Sequence, residues 1–140
     1  MSATDLVIAR LATEEGFRAT AYRDTVGRLT IGYGFNVDAG ITQGAARALL
    51  AAQVTEICAA LAQFSWWPAD DARQSVLLDL AFNNGIHGLL GYVHMLAAIA
   101  RQDWQGAHDE LLNSEAARLL PGRYTALANI LLTGNTLCAT

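Results

Sequence analysis

The stretch "EEGFRATAYRDTVGRLTIGYG", residues 14–34, places two acids side by side, a third acid nine residues after the second, and a threonine six residues further on. Its two ends have different periods. Upstream, "SATDLVIARLATEEG" opens on a Ser2-x-x-Asp5 pattern of the capping-box kind and stops at Gly16, which predicts a helix with Glu15 in its last turn. Downstream, Leu29, Ile31 and Tyr33 alternate with Arg28, Thr30 and Gly32, and Asp24-Thr25-Val26-Gly27 supplies a turn. That alternation predicts a small β-hairpin within Thr20–Tyr33, the one β region the sequence indicates.

Beyond "NVDAG" the chain reads as helix. Thr42 is placed to cap "QGAARALLAAQVTEICAALAQF", and "SWWPAD" breaks that run. Asp70 or Asp71 caps "ARQSVLLDLAFNN", which ends at Gly85; a glycine-punctuated loop leads into "YVHMLAAIARQ". Asp103 caps "WQGAHDELLNS", and a Pro121-Gly122 break precedes "RYTALANILLTG". The expectation is an α+β, mainly α protein forming a single domain over residues 1–140. Residues 14–64 would make an N-terminal lobe with its connecting helix, and 70–134 plus the first helix a helical lobe, with a cleft between.

At 140 residues the chain is long enough to bury roughly two thirds of its unfolded surface. Its 53% hydrophobic and 16% charged residues argue for a packed globule rather than disorder. The nine basic residues are all arginine, which removes Schiff-base lysine chemistry and the P-loop lysine. A net charge of −4 without a basic run predicts no nucleic-acid partner. It also gives no electrostatic help in approaching an anionic cell surface.

Cys58 and Cys138 fit no metal spacing; Cys58 reads as a small core residue, with a bridge to Cys138 left open. His87, His94 and His108 lack the spacing of a zinc site, so neither metal nor cofactor is expected. "MSATDL" is not an export signal, and no run of eighteen apolar residues predicts membrane insertion.

Glu15 at a helix C-terminus would face the negative end of the macrodipole, which with partial burial favours a neutral carboxyl, the form a general acid needs. Asp24, at a polar turn, would stay ionised. Two carboxyl groups in contrasting environments suit glycoside hydrolysis, and the Thr30 hydroxyl could hold a water beside them. Singly, each residue has an ordinary reading: a helix-end acid, a turn aspartate, a β-branched strand residue.

The pattern E-G-F-R-x-x-x-Y-x-D-T-x-G-x-x-T-I-G-Y-G, residues 15–34, closely resembles the active-site segment of the phage-type lysozymes, the endolysin family of muramidases. The resemblance implies Glu15 as catalytic acid, Asp24 as second carboxylate and Thr30 as the residue positioning water. "RQSVLLDLAFNNG" and "HMLAAIARQDWQGAHDELLNS" resemble the family's C-terminal lobe and nominate Phe82 as a cleft residue. "PGR" resembles a Pro-x-Arg element whose arginine pairs with the catalytic glutamate, which nominates Arg123. Together these segments span about residues 15–125. Tyr92 and Glu110 are further candidates for substrate contact. Trp66 and Trp67 suit either stacking on sugars or packing at a helix break.

Two departures stand out. The position after "GYG", often histidine in the family, is Phe35, which removes an ion pair, and the segment between the hairpin and "ITQG" is short. The resemblance implies a monomeric peptidoglycan hydrolase. It would cut the β-1,4 bond between N-acetylmuramic acid and N-acetylglucosamine during phage lysis, reaching the wall from the host cytoplasm after the membrane is permeabilised. A lytic transglycosylase or a non-catalytic peptidoglycan-binding or phage tail module on the same scaffold are the alternatives.

Overall fold

A computed structural model describes residues 1–136. Cys138 lies outside them. The chain divides into two compact units, Met1–Ala48 and Leu49 onward.

The first unit begins with α1 (Ala3–Glu15), where both bonds of the expected capping box form. Ser2 Oγ accepts from the Asp5 amide at 3.1 Å, and Asp5 Oδ2 accepts from the Ser2 amide at 2.9 Å. The helix stops at Gly16, whose φ of 69° lies in the region that favours glycine. Three antiparallel strands follow in the order β1 (Arg18–Arg23), β2 (Leu29–Gly32) and β3 (Phe35–Asn36). β1 and β2 are the expected hairpin, with Tyr22 opposite Thr30 and Arg23 opposite Leu29. β3 was not foreseen; two residues are too few to show a period. Among the described residues of this unit only Thr30 is buried, so its backbone ladders and turns hold it rather than an apolar core.

The division between the units falls within α2 (Gln43–Leu61), whose Thr42 hydroxyl accepts from the Ala45 amide as expected of a cap. By length and composition α2 alone among the described helices could cross a membrane, with a mean hydropathy of 1.3; its run is broken by Arg47 and Glu56. Cys58, expected in a core, is half-buried on this helix and free.

The second unit continues with α3 (Asp71–Leu90), α4 (Val93–Ala100), α5 (Trp104–Leu112), α6 (Glu115–Leu119) and α7 (Pro121–Thr133). Asp70, Asp103 and Ser114 cap α3, α5 and α6 through the amides of Arg73, Gly106 and Ala117. Gly85 breaks the helical path with φ 75° and ψ 160°, as its place after Asn84 predicts, but the chain resumes helix at once. Pro121 is the first residue of α7 rather than a break before it, since a first-turn residue has no helical use for its missing N–H. Leu61, Val76, Leu77, Leu80, Leu89, Met95, Leu111 and Leu131 make the core.

Candidate active site

Glu15 closes α1 and is exposed, so the partial burial expected of it is not found. Its carboxyl lies against the turn joining β2 to β3. A Cβ built on Gly34 would stand 2.7 Å from Glu15 Oε2 and 2.9 Å from its Cδ, and Gly34 has φ +78°. The left-handed backbone selects glycine there, and a methyl group would oblige the Glu15 carboxyl to move. Beside this contact the rings of Phe17 and Tyr33 pair at 5.5 Å, fastening the residue after Gly16 to the same turn. Phe35 lays its ring over Gly32, where a Cβ would come 3.1 Å from Phe35 Cδ2.

Asp24 opens the β1–β2 turn. Its Oδ1 accepts from the amides of Val26 at 3.0 Å and Arg28 at 2.8 Å, and its Oδ2 from Arg28 Nε at 3.2 Å. The hydrogen bond from the Arg28 amide, with smaller help from Val26 and the Arg28 guanidinium, holds the Asp24 carboxyl below its ordinary 3.8. This is the ionised carboxylate that the turn position predicts. Three of its roughly four acceptor sites are used, leaving one on Oδ2.

Thr30 is buried, and its hydroxyl donates to the Arg28 carbonyl at 3.0 Å. The Asp24 amide donates to that same carbonyl, also at 3.0 Å. Arg28 thus ties together the two residues assigned to water. With its single proton committed, Thr30 Oγ1 offers only lone pairs to anything else.

The other candidates lie in the second unit. Phe82, 44% exposed, lines a concavity of about 450 Å³ together with Leu50, Val54, Asp79, Asn83 and Arg123. Arg123 donates to Asp79 Oδ1 at 2.5 Å, and that carboxylate raises the guanidinium's pKa. The carboxylate this arginine holds is Asp79, a partner 44 residues away that no sequence pattern indicates. Tyr92 is packed against the core; burial, reinforced by Tyr124, pushes its hydroxyl up to about 12. Glu110 is exposed on α5. Among the described residues no cluster of His, Cys, Asp or Glu could hold a metal ion.

The family model of the phage lysozymes matches residues 12–125, well over half of the chain and every candidate position from Glu15 to Arg123. The chain belongs to the phage lysozyme family. No curated protein matches it. Membership makes it lysozyme-like, of a family of glycoside hydrolases that acts on peptidoglycan. Sequence reasoning missed Gly34 and Arg28. The signal for Gly34 was present in the "GYG" run, since a glycine between a strand and a bulky residue commonly marks positive φ or close approach.

Proposed function

We propose that this member of the phage lysozyme family is a muramidase that hydrolyses the β-1,4 bond between N-acetylmuramic acid and N-acetylglucosamine. The observation that supports the reading is the shared Arg28 carbonyl: the Asp24 amide and the Thr30 hydroxyl both donate to it, which leaves Thr30 Oγ1 with lone pairs alone, beside an Asp24 carboxylate with one acceptor site left. A water held by these two acceptors donates one hydrogen bond to each and turns a lone pair outward, toward the sugar's C1. The new bond forms between water oxygen and C1 of the muramic acid residue as the glycosidic C1–O bond breaks. Glu15 gives its proton to the departing oxygen of the glucosamine residue, and Asp24 takes one from the attacking water. Proton exchange with solvent restores both groups.

Phe82 keeps the substrate-contact role its motif position implies, with Glu110 a further candidate, while Arg123 is engaged by Asp79. The enzyme works as a monomer without membrane insertion. It would be made in the cytoplasm of a bacterial host and act on the wall once the inner membrane is permeabilised, in phage-mediated lysis.

Digestion of purified Gram-negative peptidoglycan followed by mass spectrometry of the fragments tests this. Hydrated reducing-end muropeptides, lost in Glu15→Gln with the fold intact, are expected. Anhydro-muramyl ends would make the protein a transglycosylase, and full activity in Glu15→Gln would remove Glu15 from the chemistry.

A further inference from the structure

The chain has three tryptophans, Trp66, Trp67 and Trp104, and all three line one pocket of the second unit, about 420 Å³ in volume. That volume falls within the range of about 300–1,000 Å³ usual for small-ligand sites. No residue of the proposed chemistry lines it. Its walls are held in place. Arg73 lies 3.9 Å over the Trp104 ring while donating to the carbonyls of Leu131 at 2.7 Å and Leu132 at 3.1 Å and to Asp70 at 3.2 Å. Phe64 stacks on Trp66 with ring centroids 4.8 Å apart and is not itself a wall of the pocket, so Trp66 gives the pocket its other face or its edge.

Gln102 stands on the rim. It is exposed and is the only non-glycine among the described residues with positive φ, at 58°, in the position after α4 where its amide donates to the Ile99 carbonyl. Glycine is the residue that position favours, because a side chain there meets the backbone. Here the position is a glutamine, which is among the residues lining the tryptophan pocket.

We propose that this pocket is a second carbohydrate site that binds an N-acetylhexosamine unit of the glycan strand, apart from the bond being cut. Indole surfaces match the apolar faces of a pyranose ring. The Gln102 carboxamide matches an acetamido group, its oxygen accepting the acetamido N–H and its NH₂ donating to the acetamido carbonyl. The neutral ligand needs no positive field, which fits a chain of net charge −4. Holding a neighbouring stretch of strand raises the effective concentration of the scissile bond on an insoluble polymer. The choice of sugar rests on the peptidoglycan reading; the pocket does not.

Because every tryptophan lies here, intrinsic fluorescence and the three indole N–H resonances report on this pocket and not on the first unit. The full chain carrying Glu15→Gln is titrated with chitotetraose. A saturable change in fluorescence and in the indole resonances is expected, with cellotetraose binding about tenfold or more weakly for want of acetamido groups. Gln102→Gly, which relieves the backbone conformation and so retains the fold, should weaken chitotetraose about 2- to 10-fold. In the otherwise native chain it should lower activity on insoluble peptidoglycan while leaving cleavage of short soluble fragments unchanged. Silent indoles would overturn the site, whether or not amides near Gly34 respond. Equal binding by cellotetraose, or an unaltered Gln102→Gly variant, would overturn the acetamido assignment. An indole response in a protein whose native form yields no peptidoglycan fragments would uphold the site while the muramidase reading fell.

Discussion

Gly34 packs so closely on the carboxyl of Glu15 that a Cβ there would lie 2.7 Å from Oε2 and the carboxyl would have to move. The acid proposed to protonate the leaving group therefore lies against a turn nineteen residues later in the chain. Gly34→Ala should displace the carboxyl and impose a left-handed alanine, at about 1–2 kcal/mol of stability. A misplaced acid should lower kcat on peptidoglycan by about a hundredfold. Thermal unfolding and turnover measured on the same preparation separate the two effects. A variant with reduced melting temperature and undiminished kcat would show that the contact does not position the acid.

Asp24→Asn keeps an oxygen that accepts from the Val26 and Arg28 amides, so the turn should form as before. What it loses is the negative charge proposed to take a proton from water. Turnover should fall about 10²- to 10⁴-fold with little change in circular dichroism. Activity close to that of the native protein would remove Asp24 from the base role.

Asp5, Asp24, Asp103 and Asp109 are all held below 3.8 by hydrogen bonds that favour their charged forms, first among them those from Ser2, the Arg28 amide, the Gly106 amide and His108 respectively. A depressed carboxyl binds fewer protons in the folded state than in the unfolded one. Its contribution is complete above the unfolded value and is lost as pH falls through the lower folded value. The urea midpoint should therefore be insensitive to these four groups above about pH 5 and decline below about pH 4. Asp24→Asn should flatten part of that decline, and an unchanged slope would count against the turn as an acid-sensitive element.

Tyr92 tests packing against substrate contact. Its hydroxyl is raised from 10.0 to about 12, so the stability it confers is complete below pH 10 and is lost as pH climbs toward 12. Tyr92→Phe should cost about 1 kcal/mol through the lost hydrogen bonding and lessen the alkaline sensitivity. Turnover should stay near native. A fall in kcat/KM beyond about tenfold would return Tyr92 to the substrate side.

Features set by neighbours in the chain were legible. The caps at Ser2, Thr42, Asp70 and Asp103 each engage an amide three residues on, and the Asp24–Gly27 turn closes within four. Glu15, Asp24 and Thr30 are nominated by a dense local motif for the same reason. What the sequence does not display is pairing at a distance: Arg123 with Asp79, or Gly34 against Glu15. Nor does it display elements too short for a period, such as β3 and the five-residue α6. Pro121 reads equally as a stop or as a first helical residue until the preceding Leu120 is seen to be non-helical, with φ −129° and ψ 62°.

The Arg73 side chain spans 58 residues to reach the end of α7, whereas every contact described in the first unit closes within about twenty. Closing the longer loop costs about 1 kcal/mol more in chain entropy than closing one a third its length. Local contacts also form faster than distant ones. The two units should therefore acquire structure on different clocks. The acid-bearing hairpin is free to form as soon as its own residues are available, while the helical unit stays without its Arg73 fastening until nearly all of α7 has been added.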